Sequence, residues 1–171
     1  ALRASLRLSS ATVMYGASGA ATDDRAALRG IELARSLDDA DSLARLHASH
    51  GMFVMNRGRE KFGEGLEIIQ EGYAIARAAG NENAAATLMR TLAFGYLLDG
   101  RFADADREID RTLAELDRLG HRKRLSDTYM GARFFRQRVL FESDRLDEAD
   151  SFGTETHDLA EKAGNRTLQS G

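Results

Sequence analysis

The chain has 171 residues, of which 43% are hydrophobic and 30% charged, and it can form one ordinary domain with a real core. Its formal net charge of -3 argues against direct binding to nucleic acids, and the absence of cysteine excludes disulfides, thiolate nucleophiles and cysteine-ligated metals. Because no apolar run approaches the roughly 20 residues that cross a bilayer, we predict a cytoplasmic chain that does not bind a membrane.

One phrase recurs along the chain and sets the predicted architecture. It ends at Asp39, Asn81, His121 and Asn165, each of which follows an apolar or alanine-rich stretch such as IARAAGN or AEKAGN. The spacings of 42, 40 and 44 residues are typical of solenoids that stack helix pairs. Proline is absent, which also favours helices. We predict one all-α domain over 1–171, built from antiparallel helices of roughly 14 to 19 residues. Its four repeats span about 1–39, 40–81, 82–121 and 122–165.

The first repeat is the least regular, with helices predicted at about 2–15 and 23–37. The stretch between them, YGASGAATDD, is rich in glycine and invites comparison with a phosphate-binding loop. Such a loop needs the form GxxxxGK[ST], and this stretch has neither the lysine nor a preceding apolar strand. We therefore interpret it as an inter-helix loop in which Thr22 or Asp23 caps the next helix.

The second repeat carries two histidines, His47 and His50, three positions apart on one predicted helix. This spacing could present two imidazoles to one metal ion. A zinc site needs further ligands, and the chain contains no HExxH motif or cysteine to supply them. We therefore predict no metal site and interpret both histidines as core-facing residues that pack between helices.

The third repeat has the clearest pattern. Apolar residues recur at spacings of three and four across 83–98, as expected for an amphipathic helix. Gly100 and Gly120 each end a helix, since glycine adopts the left-handed conformation without a side-chain penalty. Ala105, and Gly65 forty positions earlier, are predicted where two antiparallel helices cross, because only a small residue lets the backbones approach closely.

The third repeat resembles the tetratricopeptide pattern of helix A, tight turn and helix B. The residues that carry the resemblance are Met89, Leu92, Ala93, Tyr96, Gly100, Phe102, Ala105 and Ile109. The resemblance covers about 23–165 and implies a right-handed α-solenoid of about four antiparallel helix pairs. The repeats are longer than the usual length of about 34 residues and lack the family's proline. In length and in phrases such as GRFADA, they resemble the repeat region of large bacterial ATP-dependent transcriptional regulators, which senses a ligand or a partner protein.

In the fourth repeat, the sequence Asp144-Arg145-Leu146 replaces the glycine turn. Its first helix, about 125–141, would place Arg133 and Arg136 in the core if the tetratricopeptide register held. We therefore predict a shifted core face. Its residues are Leu125, Tyr129, Ala132, Phe135 and Val139.

Two sets of charged residues could carry chemistry. Carboxylates in 104–110 and 142–150 could pair for acid-base catalysis, but they alternate with arginines on polar helix faces. Solvated faces explain them without a raised pKa, so we predict no catalytic site and no cofactor.

A basic patch could receive an acidic peptide, a phosphate or a nucleic acid. It consists of Arg122, Lys123 and Arg124, followed by Arg133, Arg136 and Arg138. We favour the interpretation that HRKR is an exposed loop and that several of the other arginines pair with the acidic helix after Glu142.

The inner face of such a solenoid is lined mainly by the first helix of each pair, and we predict that it binds a protein or peptide. Its residues are Arg45, Met52, Met55, Asn56, Thr87, Arg90, Phe94 and Leu97. Methionine, phenylalanine and arginine together suit an adaptable groove. Two alternatives stay open. Met52, Met55 and Phe94 could pack between repeats, or a small molecule could bind among Met52, Met55, Arg90 and Phe94 and shift the helix packing.

The final predicted helix, about 147–163, has an apolar side that a further repeat would normally cover. The residues on this side are Leu146, Ala149, Phe152, Leu159 and Ala163. We expect either that the chain is a fragment with further residues after Gly171 or that it forms a homodimer through its terminal helices.

Overall fold

The structure, a computed structural model, describes residues 20–124 and 126–162, which form helices and the turns that connect them. The helices are α1 Ala20–Ser36, α2 Ala40–Met55, α3 Phe62–Ala78, α4 Glu82–Leu98, α5 Phe102–Arg118, the single turn α6 His121–Arg124, α7 Asp127–Glu142 and α8 Leu146–Lys162. A 3-10 turn, Arg59–Lys61, precedes α3. The seven long helices have 16 or 17 residues each, which confirms the predicted lengths.

The first helix corrects one sequence prediction. Because α1 already includes Ala20, Thr22 and Asp23 lie inside this helix and not ahead of it. The helix predicted at 2–15 and the first half of the YGASGAATDD stretch, 15–19, lie outside the described residues.

The residues that end the recurring phrase begin the helices that follow. The Asp39 carboxylate accepts a hydrogen bond from the Ser42 backbone N–H at 3.0 Å and caps α2. This bond is the main reason that the pKa of Asp39 is lowered. The Asn81 side-chain oxygen accepts from the Ala84 backbone N–H at 3.0 Å, at the start of α4. The sequence period is therefore a period of helix N-caps.

His121, the third residue that ends the recurring phrase, contacts the residue that caps the next long helix. His121 begins α6, and its Nδ1 lies 2.8 Å from the hydroxyl oxygen of Ser126. Ser126 in turn caps α7, since its Oγ accepts from the Tyr129 backbone N–H at 3.2 Å. Asn165, the fourth such residue, lies outside the described part of the chain.

The turns after the helices use left-handed backbone at matching positions. Gly80, Gly100 and Gly120 have φ angles of 66°, 75° and 74°, which confirms the predicted glycine stops at the last two positions. Asp38 and Asp144 adopt the same conformation, with φ angles of 52° and 61°. Asp144 therefore performs the role that glycine has in the preceding turns.

The chain divides into two compact units, Ala1–Gly95 and Tyr96–Gly171. In the first unit, α2 packs against both α1 and α3. Gly51 and Gly65 meet where α2 crosses α3, as predicted for Gly65. The largest fully buried side chains of this unit are Leu46, Met55, Ile69 and Leu88.

In the second unit, α7 packs against both α5 and α8. Of the predicted core face of α7, Tyr129, Ala132 and Val139 are buried and Phe135 is half-buried, while Leu125 lies outside the described residues. The predicted exclusion of Arg133 from the core is wrong, since this side chain is only 5% exposed. Ala105, predicted at a crossing, is fully buried.

Candidate partner-binding surfaces

The predicted inner face on α2 and α4 keeps five of its eight residues at the surface. Arg45 and Asn56 are exposed, and Thr87, Arg90 and Phe94 are half-buried. Burial lowers the pKa of the Arg90 guanidinium. Arginine and aromatic side chains that are partly desolvated in this way are the residue types that dominate binding energy at interfaces.

The other three predicted residues belong to the core. Met52, Met55 and Leu97 are buried, so in this structure they cannot contact a partner. Met55 lies between two glycines: a Cβ at Gly65 would collide with its Cγ, and a Cβ at Gly95 would lie 3.3 Å from its Sδ. Because α2 packs against more than one helix, a wider stripe of its surface is buried than a single facing helix would bury.

The packing of Met55 also bears on the small-molecule alternative. A ligand placed among Met52, Met55, Arg90 and Phe94 would have to displace Met55 from its contacts with α3 and α4. The alternative that the methionines pack between repeats is confirmed for Met55.

Asp41 fixes the polar end of the inner face. Its carboxylate accepts from Arg45 Nε at 2.9 Å and from Asn81 Nδ2 at 2.7 Å. Because Asp41 is in the first turn of α2 and Asn81 caps α4, this carboxylate holds the two helix starts side by side. We infer that Arg45 lies close to the start of α4. One turn further along α4, Thr87 donates its hydroxyl to the Asn83 carbonyl at 3.0 Å.

Only some residues of the predicted basic patch are exposed. The HRKR stretch forms the helical turn α6 and not a loop; Arg122 and Lys123 are exposed on it, and the side chain of Arg124 is outside the description. Arg122 lies 3.5 Å from Asp117. Arg138 pairs with Glu142 at 3.2 Å on its own helix.

The other two arginines of the patch bind different helices. Arg136 donates to the Asp106 carboxylate and lies 3.0 Å from Asp110 on α5. The predicted pairing with the acidic helix after Glu142 holds for Arg133, which donates from Nη2 to Glu155 at 2.8 Å.

The buried guanidinium of Arg133 has further partners on α8. Its Nε donates to the Thr156 hydroxyl at 3.0 Å, and its guanidinium lies 4.1 Å from the centre of the Phe152 ring. A cation over an aromatic face is attracted by the ring's electron density. Arg133 is thus a structural residue that joins α7 to α8.

The carboxylates in 104–110 lie beside arginines, as their alternation in sequence suggested. Asp104 accepts from Arg101 Nε at 2.7 Å, and Glu108 accepts from Arg111 at 3.2 Å. The expectation that no carboxylate has a raised pKa is wrong for Glu108, because burial raises its pKa more than Arg111 lowers it.

His47 lies in the core, as predicted, and His50 is half-buried. The Nδ1 atom of His47 is 3.9 Å from the Glu71 carboxylate, and a Cβ at Gly72 would lie 2.6 Å from its own Cβ. Burial lowers the pKa of His47 despite the opposing effect of Glu71. Over the described ranges, no three or more His, Asp or Glu side chains cluster as metal ligands would.

A second surface lies between α7 and α8, and only its α8 side was predicted from the sequence. It is a groove of about 600 Å³ with an aromatic wall formed by Phe134 and Phe141 of α7. Phe141 is 62% exposed and Phe134 is 45% exposed. These two residues are seven positions apart on one helix face, and that spacing was the available signal.

The predicted apolar side of α8 contributes to the same groove. Leu146 is 51% exposed and Ala149 is buried, and both line the groove. Phe152 and Leu159 are half-buried, and Ala163 lies outside the described residues.

The fold is similar to solved structures of helical-repeat proteins. Aspartyl phosphate phosphatase F from Bacillus subtilis matches with a TM-score of 0.79 and 13% identity, over 99% of this chain and 42% of that one. The apo form of RapI matches with a TM-score of 0.76 and 13% identity, over 96% and 57% of the two chains. The putative kinesin light chain of Podosopora anserina, which has TPR-like repeats, matches with 0.68 and 12% identity, over 94% and 75%.

These likenesses show the fold alone, because the identities are low. They confirm the predicted all-α architecture of tetratricopeptide-like helix pairs, an α-solenoid. The chain spans about half the length of the first two structures. No protein-family model and no curated protein matches its sequence. Among the helices that the structure describes, none is both long enough and apolar enough to cross a membrane.

Proposed function

We propose that this chain is a non-catalytic module that binds another protein or a peptide through the face formed by α2 and α4. The observation that carries the proposal is the set of residues left at the surface of this face. They are Arg45, Asn56, Thr87, Arg90 and Phe94. Repeated helix pairs provide a rigid support for such a face, and it need not close around a substrate.

The chemistry of the face suggests its partner. Arg45 and Arg90 supply positive charge, and Phe94 supplies a half-exposed ring. A peptide that presents a carboxylate next to an apolar side chain would satisfy both groups, either as a helix or as an extended segment.

We further propose that the module is the sensing or scaffolding region of a cytoplasmic bacterial transcriptional or signalling regulator. The support is the repeat length and the recurring phrases, which resemble those regulators. The phosphatase activity named for one structural neighbour is not transferred to this chain, since 13% identity carries the fold only.

The test is quantitative affinity capture with the purified chain as bait, read by mass spectrometry. The test variant is Arg45→Glu combined with Phe94→Ala, and the charge-matched control is Arg29→Glu, an exposed arginine on α1. We expect a specific partner that the test variant loses by about tenfold or more and the control retains.

Two outcomes would count against the proposal. Equal capture by the wild type and the test variant would remove the α2–α4 face as the binding surface. A saturable rise of the melting temperature with one metabolite, abolished by the same variant, would instead favour the small-molecule alternative.

A further inference from the structure

The α7–α8 groove has a counterpart earlier in the chain, and that counterpart is covered. Helices α5 and α8 both have 17 residues and begin 44 positions apart, at Phe102 and Leu146. The left-handed turns before them, Gly100 and Asp144, show the same offset. Each position of the α7–α8 groove can therefore be compared with its counterpart 44 residues earlier.

Three positions match in chemistry and two of these differ in exposure, while Phe134 corresponds to Arg90. Ala149 and Asp150 on α8 correspond to Ala105 and Asp106 on α5. Phe141, which is 62% exposed, corresponds to Leu97, which is 7% exposed. The earlier copy of this surface is thus closed, and the later copy is open over the described residues.

Asp106 shows how the earlier copy is closed. Arg136 of α7, which packs on α5, donates to the Asp106 carboxylate and, at 3.4 Å, to the Asp106 backbone carbonyl. Arg145 donates to the other carboxylate oxygen at 3.0 Å. An arginine on a packed helix therefore anchors that helix to this position.

Asp150 has no such anchor. It is exposed, it lines the open groove, and within the described part of the chain its carboxylate has no hydrogen bond or ion pair. Beside it are the exposed apolar side chains of Phe134, Phe141 and Leu146. Water solvates a lone carboxylate well, but it does not favour an apolar wall of this size.

We propose that the α7–α8 groove docks an amphipathic helix of another protein that places apolar side chains against Phe134 and Phe141 and an arginine against Asp150. The occupant would be seated as α7 is seated on α5. Asp150 favours a cationic side chain at this point of the groove, since Arg138, which also lines the groove, is paired with Glu142. Arginine is favoured over lysine because it can bind a carboxylate through two parallel hydrogen bonds. This groove shares no residue with the α2–α4 face, so either binding proposal can be overturned without the other.

The probe is a synthetic peptide with the sequence of residues 126–142, which contains α7 and its cap, labelled with fluorescein. Its binding to the full chain is followed by fluorescence anisotropy. The protein variant is Asp150→Arg, and the matched control is Asp158→Arg, an exposed aspartate on the same helix that does not line the groove. A second peptide carries Arg136→Asp, which reverses the charge of the anchor.

We expect saturable binding that Asp150→Arg weakens by about tenfold and Asp158→Arg leaves unchanged. The Arg136→Asp peptide should bind the Asp150→Arg protein more tightly than it binds the wild type. Phe141→Ala should also weaken binding, and circular dichroism should show that each variant keeps its helix content because the mutated side chains are exposed.

Three results would overturn the proposal. They are no saturable binding of the peptide, binding that is indifferent to Asp150→Arg, and a concentration-dependent dimer in sedimentation that Phe141→Ala or Asp150→Arg abolishes. The last result would identify a second copy of this chain as the occupant.

Discussion

Gly51 and Gly65 face each other where α2 crosses α3, and each makes room for the backbone of the other. A Cβ on Gly65 would lie 2.5 Å from the Gly51 carbonyl oxygen, and a Cβ on Gly51 would lie 2.6 Å from the Gly65 carbonyl oxygen. Real Cβ atoms do not approach an oxygen so closely. The two helices are therefore packed at a distance that only paired glycines allow.

Gly65→Ala should destabilise the protein for this reason. Overpacking against a backbone atom that cannot move aside costs about 1–3 kcal/mol, even though alanine is otherwise the better helix former. Gly63→Ala on the same helix is the control, because a Cβ there would meet nothing within 4 Å. It should raise the free energy of unfolding by up to about 1 kcal/mol. Urea denaturation measures both, and equal stability of the two variants would contradict the crossing geometry.

Asp144→Gly should stabilise the turn between α7 and α8. Asp144 has a φ angle of 61°, in the region where a side chain is strained and glycine is not. We expect a gain of about 0.5–1 kcal/mol in the free energy of unfolding. The reverse substitution at the matching turn, Gly100→Ala, should lose about 1 kcal/mol, since its φ angle is 75° and no neighbour hinders the new methyl group. If both changes act in the same direction, the two turns are not equivalent.

Arg133→Ala tests whether the buried arginine holds α7 to α8. The substitution removes the contact with the Phe152 ring and the hydrogen bond to Thr156, so we expect a loss of about 1–3 kcal/mol in unfolding experiments. Arg138→Ala, an exposed arginine on the same helix, should change stability by less than about 0.5 kcal/mol. Arg133→Met should recover part of the loss through its apolar stem. Similar losses for Arg133→Ala and Arg138→Ala would show that burial of the guanidinium contributes nothing.

His47 should make stability depend on pH. Burial lowers its pKa in the folded state, while the unfolded chain has the ordinary value of about 6.5. As the pH falls through about 6.5, the unfolded state binds the proton first, so the contribution present above this pH is lost below it. His47→Gln cannot titrate and should flatten the dependence between about pH 7 and pH 5. Identical slopes for wild type and His47→Gln would remove His47 as the cause.

The order of the helices and the positions of their ends could be predicted because they depend on neighbouring residues. Asp39 and Asn81 satisfy amide groups three positions away, and Gly100 and Gly120 turn the chain through their own backbone angles. Such local interactions can be predicted from residues that are neighbours in the sequence.

Burial depends on residues that are distant in sequence, and here the predictions failed. The sequence predicted that Arg133 avoids the core, because it does not show that Phe152 and Thr156 would receive its guanidinium. Periodicity likewise does not distinguish a side chain on the inner face from one between helices, so the sequence left both positions open for Met55. The 44-residue offset makes Asp150 the counterpart of Asp106, but the sequence does not show that Arg136 binds Asp106.

The reach of the hydrogen bonds between repeats has a consequence for how the chain folds. Asn81 with Asp41 and Arg145 with Asp106 join residues 40 and 39 positions apart, which is one repeat in each case. Contacts of such short range close small loops as the chain folds. Each helix pair can therefore pack on its neighbour before more distant parts of the chain have folded. Damage to one pair should then speed amide hydrogen exchange locally before the rest of the chain opens.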